Sequence, residues 1–444
     1  MQSSTERYKV LMLGWEFAPI IAGGLGVVCK GLTGALVKRK ADITYVLPRI
    51  PDDVQLQIDG ISFTSANVEE DSLRFLGVDS RLSSPYLSAD TFNLATDLAD
   101  KPNTNPARQT NIAAPQDKGR ATRSTSNKKI YGEDLLSEVD SYAQKVIESV
   151  TNIEDYDIIH NHDWMTAPAA VRAKELTGKP MVMHVHATEI ERTVGHPNPA
   201  IFAKELAGME AADTIIAVSE LTKQRIVDNY GIEASKILVV HNAVERLESN
   251  FGPIAKSLYK DDQIVLFLAR LTAMKGANYL LEAANKVLKH LPKTKFLFVG
   301  AGELLEDLIE RSVDLNISHK VTFTGFLPHD QVDRAYRAAS VFVMPSIAEP
   351  FGITPLEAIK NGTPVIISKQ SGVSEVLKNV LKVDFWDVDE LANKLIAVLK
   401  YGVLAEELSN NSKLDLENIS WDIQGKKVIE IYSQLKHNQN LRFN

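Results

Sequence analysis

Residues 8–47 read YKVLMLGWEFAPIIAGGLGVVCKGLTGALVKRKADITYVL, and this stretch decides the fold. The run from Lys9 to Leu13 is short and apolar, the pattern of a buried strand. Gly23, Gly24 and Gly26 follow, opening a helix whose apolar residues include Val27, Val28, Leu32, Leu36 and Val37. ADITYVL is then a second strand. Strand, glycine-rich turn, helix and strand form a βαβ unit, which predicts a parallel sheet with a right-handed crossover.

The alternation continues outward. GEDLLSEVDSYAQKVIESV (132–150) is an amphipathic helix, with Leu135, Val139, Tyr142, Val146 and Ile147 on one side. YDIIHNHDWMTAPAAVRAKEL (156–176) reads strand, turn, helix, with the strand at Asp157 to Ile159 and His162 just beyond it. PMVMHVHATE, DTIIAVSELTKQRIVDNYG and KILVVHNAV extend the series. A second α/β series starts at QIVLFLARLTAMKGANYLLEAANKVL (263–288) and runs through VFVMPSIAEPFGITPLEAI and TPVIISKQSGVSEVL. Two separate blocks predict an α/β protein of two Rossmann-like, doubly wound domains facing across a cleft, with ligands at the carboxyl ends of the strands. The expected boundaries are 1–245 for the first domain, 246–262 for a linker and 263–425 for the second domain. Residues 426–444 form a C-terminal helix and tail. Residues 82–129 are rich in Ser, Thr, Asn, Asp and Pro, have no sustained period, and are expected to be a mobile insertion, either a lid or a passive surface loop.

Bulk properties exclude several classes. The 444-residue chain carries a net charge of -8, which argues against broad attraction to nucleic acid or anionic membrane. A single cysteine, Cys29, excludes an intramolecular disulfide framework and a cysteine-rich metal site. The first apolar run, Val10 to Leu13, is far too short for a signal peptide core or a membrane span, so a cytoplasmic protein is expected. Any phosphate site must then be local, made of a few cations and backbone N–H groups.

The strand-to-helix turns supply such groups. At Gly23 and Gly24, small residues let backbone approach a ligand at a helix N-terminus, an anion site; the plain alternative is a tight turn. ARLTAMKG places Arg270 and Lys275 five apart at a strand end, where a planar fork and a point charge can converge on a diphosphate. His162 follows its strand and suits donation to a hydroxyl or oxyanion, with Asp163 as a possible N-cap for the next helix. His184 and His186 share one strand face, but no third ligand follows at compact spacing, so no metal site is expected. In EPFGITPLEA (349–358), Thr354, Pro355 and Glu357 have the spacing of a capping box. Glu349 has no such local duty. Glu357 has two competing readings, helix cap and acceptor of ribose hydroxyls.

These motifs together resemble the retaining GT-B glycosyltransferases, in particular bacterial glycogen and starch synthases and their group 1 relatives. The matching segments are GGLG, HNHDW, HVHATE, HNAV, ARLTAMKG, the run from GFLPHDQVDRAYRAAS through EPFGITPLEA, and SGVSEV. The resemblance implies that Arg270 and Lys275 hold the donor diphosphate, helped by backbone near Gly23 and Gly24 and by Thr354. It implies that Glu349 borders the transferred sugar, that the backbone of Phe351, Gly352 and Ile353 touches its hydroxyls, that Glu357 binds the ribose, and that His162 lies near the reacting centre. It also implies that the segment from Trp421 crosses back to the first domain. Glycogen synthases usually carry a lysine two residues before the first glycine of GGLG and an acidic residue after the last; here these are Ile21 and Val27.

The function so implied is transfer of a glucosyl unit from ADP- or UDP-glucose to the non-reducing end of an α-1,4-glucan, with no metal and no cofactor. The partners expected are the nucleotide-sugar donor and a glucan or other sugar acceptor. Glu349 and Glu357 are separated by a loop and the start of a helix. A pair flanking one bond, as in retaining glycosidases, is therefore not expected, and same-face transfer is preferred to a glutamyl-enzyme. The alternatives are another group 1 retaining transferase with a different donor or acceptor, and a sugar-nucleotide epimerase on the same fold.

Overall fold

The computed structural model describes residues 7–18, 24–48, 135–150, 156–245 and 263–443, together with short strands at Gln57–Ile58, Ile61–Ser62 and Leu73–Gly77. Gly23, Ile21, the 82–129 segment and the 246–262 linker lie outside the described residues.

The first sheet has seven strands in the spatial order 73–77, 41–47, 8–13, 158–162, 181–185, 214–217, 237–239. The second has six, in the order 321–325, 295–299, 264–268, 341–344, 365–368, 381–383. Every pairing in both is parallel. The central strands Ile158–His162, Met181–Val185, Val341–Met344 and Val365–Ser368 are buried at every residue. This follows from helices covering both faces, and it explains why these strands are continuous apolar runs rather than alternating ones. Within each sheet the chain moves outward to one edge, then returns and moves outward to the other. The order therefore reverses between strands 8–13 and 158–162 in the first sheet, and between 264–268 and 341–344 in the second. Loops leaving the carboxyl ends of such neighbours diverge and open a crevice. The loop toward Gly24, His162, the Arg270–Lys275 turn and the Glu349 loop all leave from these four strands.

The domains touch beside that crevice. Ser219 Oγ donates to the carbonyl of Pro350 at 2.6 Å. The backbone N–H groups of Glu220 and Leu221, in the first turn of helix Glu220–Tyr230, donate to the Glu375 carboxylate at 2.9 and 2.8 Å. His241 Nε2 lies 3.2 Å from the same carboxylate. An acid at a helix N-terminus is favoured by the orphan N–H groups and the helix dipole.

The final helix, Trp421–Phe443, lies against helix Gly24–Val37 of the first domain. The contact needs small residues. A Cβ on Gly31 would meet the Trp421 indole at 2.2 Å, and one on Gly425 would meet Ala35 at 2.9 Å. Val428, Ile431, Tyr432 and Leu435 are buried there, each worth about 1.5–3 kcal/mol as a fully buried large side chain. Arg39 pairs with Asp422 at 2.7 Å at one end of the helix, and Lys436 with Asp157 at 3.5 Å further along.

Candidate active site

The centre of the site is an ion pair between two loops of the second domain. After strand Ile264–Leu268 the chain makes a single 3-10 turn at Ala273–Lys275, closed by Gly276. Gly276 sits at φ +69, and a Cβ there would lie 2.0 Å from the Pro345 carbonyl oxygen, so only glycine allows the turn to press against the end of strand Val341–Met344. The two loops are then laced together, since the N–H of Ile347 donates to the Met274 carbonyl at 2.8 Å. Lys275 Nζ meets Glu349 Oε2 at 2.7 Å. Ser346 Oγ donates to the same oxygen at 3.1 Å.

Glu349 is only 7 % exposed. Its backbone is held on the other side by the segment after strand Val365–Ser368: Glu349 N–H donates to the Gln370 carbonyl at 3.2 Å, and Gly372 N–H donates to the Glu349 carbonyl at 2.9 Å. Phe351 is buried, and its carbonyl accepts from Val373 N–H at 2.7 Å. Gly352 takes φ +97, where a Cβ would crowd Met344 and the Glu349 side chain at 2.9 and 3.1 Å. This loop is a rigid platform ending at the N-terminus of helix Thr354–Lys360.

The capping box expected in that helix does not form. Ile353 already has helical dihedrals, φ −83 and ψ −34, and occupies the cap position without a side-chain bond. Thr354 is therefore inside the helix, and its hydroxyl lies 3.8 Å from the Met344 sulfur. Glu357 Oε2 accepts from the Tyr336 hydroxyl at 2.9 Å. Burial and the adjacent Glu357 carboxylate raise the Tyr336 phenol well above its ordinary range, so it stays a hydrogen donor.

Arg270 is exposed and lines an interdomain cavity of about 240 Å³ with Thr272, Ala273, Met274 and Glu303 on one side and Arg192, Thr193, Val194 and His196 on the other. Arg192 has no free charge to offer. It is nearly buried and pairs with Asp163 at 3.7 Å, Glu189 at 3.7 Å and Glu205 at 3.2 Å. The Asp163 N-cap reading is corrected. Asp163 is the first helical residue, at φ +57 rather than an extended cap conformation, and its carboxylate accepts from His186 N–H at 2.7 Å. Burial raises the Asp163 carboxyl against the opposing pull of Arg192. The short helix Glu189–Arg192 carries a capping box, Thr188 with Glu191. Its S/T-x-x-E spacing was readable in HVHATEIER, and it is what aims Arg192 into this network.

The strand carrying His162 is longer than expected, Ile158–His162, because it pairs with Met181–Val185 up to the register His162 to His184. His162 is consequently fully buried rather than exposed in a loop. Its Nδ1 lies 2.9 Å from His186 Nε2. Burial lowers His162 to about 3, and burial together with the neighbouring imidazoles lowers His160, His184 and His186. The expectation that the two later histidines lack a third companion is also corrected. Strand pairing brings His160 and His162 alongside them, and ligand nitrogens of His160, His162 and His184 lie within 4.8 Å of one another. Five buried ring nitrogens of this cluster have no hydrogen-bond partner among the described residues, and an unsatisfied buried polar atom costs about 1–3 kcal/mol.

The structure thus brings Lys275, Glu349 and the Phe351–Thr354 backbone together, places Glu357 on the adjoining helix and Arg270 on the cleft wall, and sets His162 in the facing domain. Gly24 is the first residue of its helix and exposed; Val27, one turn on, is 39 % exposed.

Two doubly wound domains meeting at their switch points, with a cation and a carboxylate on the second domain's loops, define a GT-B glycosyltransferase. Residues 9–239 match the starch synthase catalytic domain, and residues 253–415 match the glycosyl transferases group 1 domain. The chain belongs to the family of the starch synthase catalytic domain, joined to a group 1 glycosyltransferase domain. An uncharacterized glycosyltransferase of Methanocaldococcus jannaschii is 26% identical over 441 residues, covering 96% of this chain and 97% of its own. A glycogen synthase of Mycobacterium tuberculosis is 24% identical over 384 residues, covering 84% and 80%. The catalytic domain of starch synthase IV from Arabidopsis thaliana, solved with ADP and acarbose, superposes with a TM-score of 0.67 over 97% of this chain and 100% of its own at 15% identity, a likeness of fold. Among the described residues, no helix is long and apolar enough to cross a membrane.

Proposed function

We propose that the protein is a retaining glucosyltransferase of the glycogen synthase type, moving glucose from ADP- or UDP-glucose to the non-reducing end of an α-1,4-glucan in the cytoplasm. The observation that carries the proposal is the Lys275–Glu349 contact of 2.7 Å at the second domain's switch point. An ammonium has three donors, so Lys275 can keep Glu349 and also take a diphosphate oxygen. Arg270 and the N-terminus of helix Thr354–Lys360 would hold the rest of the diphosphate. Glu349 then borders the glucosyl ring, the Phe351–Ile353 backbone offers polar groups to its hydroxyls, and Glu357 accepts from the ribose. Gly24 would face the reaction from the first domain, with His162 buried behind the reacting centre. Starch synthase IV bound to ADP and acarbose, a nucleotide with a saccharide, is consistent with such a donor and acceptor.

The chemistry follows from these roles. The bond from the anomeric carbon to the β-phosphate oxygen breaks, and the negative charge that develops on the phosphate is met by Lys275 and Arg270. An acceptor hydroxyl attacks from the same face and passes its proton to the departing phosphate. The products are a nucleoside diphosphate and a glucan longer by one α-linked unit. The cations make a metal at the phosphate unnecessary. Domain closure excludes water, which would otherwise hydrolyse the donor.

The test is incubation with ADP- or UDP-glucose, with and without glycogen, followed by NMR of the product. An α-1,4-linked extension supports the proposal. Donor isomerisation without acceptor, transfer only to a non-glucan acceptor, or a sugar trapped covalently on wild-type Glu349 overturns it.

A further inference from the structure

The histidine cluster behind the crevice has a construction that glycosyl transfer does not require. Four imidazoles stand on one face of two adjacent strands: His160 and His162 on strand Ile158–His162, His184 on strand Met181–Val185, and His186 just after it. Residues of one parity along a strand share a face, and the His162 to His184 register puts the two rows side by side. Their rings pack at centroid distances from 4.2 Å, for His184 with His186, to 5.5 Å, for His160 with His184.

The hydrogen bonds within the cluster sort its nitrogens. His160 Nδ1 is 2.6 Å from the Tyr432 hydroxyl, and His162 Nδ1 is 2.9 Å from His186 Nε2. The outer nitrogens of His160 and His162 are thus occupied, while Nε2 of His160, Nε2 of His162 and both nitrogens of His184 are buried without a partner among the described residues. Metal-binding histidines show this arrangement: one ring nitrogen anchored by an outer partner, the other presented to the ion.

We propose that His160, His162 and His184 form a binding site for a divalent transition metal, with zinc the chemically best match, and that the ion serves to lock the C-terminal helix onto the first domain. Three neutral imidazoles with a fourth position for water or another donor are a common zinc set. Zinc–nitrogen bonds of about 2.0–2.1 Å in a tetrahedron put ligand nitrogens roughly 3.4 Å apart. The ligand nitrogens, now within 4.8 Å of one another, would close in by at most about 1.4 Å. Tyr432 belongs to helix Trp421–Phe443, so the His160 anchor ties the ion to the helix that packs on the first domain. The site is separate from the phosphate-binding cations, and the transfer chemistry proposed above does not pass through it. His162 is shared between the two readings: an ion on its Nε2 fixes that ring.

The test uses untagged, full-length protein purified without chelator. Elemental analysis is expected to find a single zinc per chain. Co²⁺ added to the metal-stripped protein is expected to give the visible d–d bands of a tetrahedral site, displaced by Zn²⁺. His184→Gln and His160→Gln are expected to lose both signals. Tyr432→Phe, which keeps the ring and removes the anchor, is expected to weaken Zn²⁺ binding about 10–100-fold, and chelation is expected to lower the Tm of the wild type. Folding of each variant is followed by circular dichroism, and the wild-type titration does not depend on any variant. Folded wild-type protein that contains no metal and shows no saturable Zn²⁺ or Co²⁺ binding overturns the proposal. So do histidine variants that bind as the wild type does. None of these measurements requires the glycosyl donor to be ADP- or UDP-glucose, so failure of that reading and failure of this one are separable.

Discussion

Lys275→Met separates what the ion pair does for stability from what it does for catalysis. At 2.7 Å and an effective dielectric of about 20, the attraction between Lys275 and Glu349 is about 6 kcal/mol before desolvation is subtracted. Removing one partner of a buried pair costs about 3–5 kcal/mol, because the other charge is stranded. Here the lysine side chain is 16% exposed and the glutamate 8%, and Ser346 still donates to the carboxylate, so the cost should sit near the lower end, about 3 kcal/mol. For a domain of this size that is roughly 6–12 °C in Tm. Turnover should fall about 10²–10³-fold, the usual loss when a preorganised electrostatic donor is deleted. The double variant Lys275→Met with Glu349→Leu removes both charges, so most of the Tm should return while turnover stays low. Thermal unfolding by circular dichroism and release of nucleoside diphosphate measure the two effects on the same preparations. A single variant with unchanged Tm and turnover, or a double variant that recovers turnover, refutes the reasoning.

Three further outcomes are expected. Glu357→Gln keeps an acceptor for the Tyr336 hydroxyl and no cap is lost, so Tm should move by less than about 2 °C; steady-state kinetics should show the donor KM raised about tenfold with kcat nearly unchanged, the pattern of lost ground-state binding. Gly276→Ala must place a Cβ 2.0 Å from the Pro345 oxygen at φ +69; differential scanning calorimetry should show destabilisation of about 3 kcal/mol, and displacement of Lys275 should cost turnover in whatever protein remains folded. The Glu375 carboxyl is pushed up by burial, but His241 and the N–H groups of Glu220 and Leu221 outweigh this and hold it below its ordinary 4.5. A carboxyl more acidic in the folded state stabilises fully above its unfolded value and loses that contribution as pH falls through its folded value. Interdomain contact, followed by fluorescence transfer between labels on the two domains, should therefore weaken below about pH 4.5, and Glu375→Gln should reduce the acid dependence.

The two-domain α/β architecture was legible because its signals are local. Apolar runs of strand length, glycines at the turns and helical periodicity each report on a few neighbouring residues, and a parallel sheet buried on both faces turns them into near-continuous apolar strands. The Arg270–Lys275 turn and the Glu349 loop were legible for the same reason, as short polar segments at strand ends. Local grammar misled where backbone conformation just outside a motif decided the outcome. Helical dihedrals at Ile353 drew Thr354 into its helix, and left-handed dihedrals at Asp163 turned that carboxylate toward His186 and Arg192.

By itself, then, the sequence determined the succession of strands and helices and which side chains stand at the ends of which strands. Only the tertiary structure decided who meets whom: Lys275 with Glu349 across 74 positions, His160 with Tyr432 across 272, and four histidines from two strands in one buried cluster. Those meetings depend on strand order, register and the return path of the final helix. They are set by the burial of whole sheet faces, to which each short stretch of chain contributes only a part.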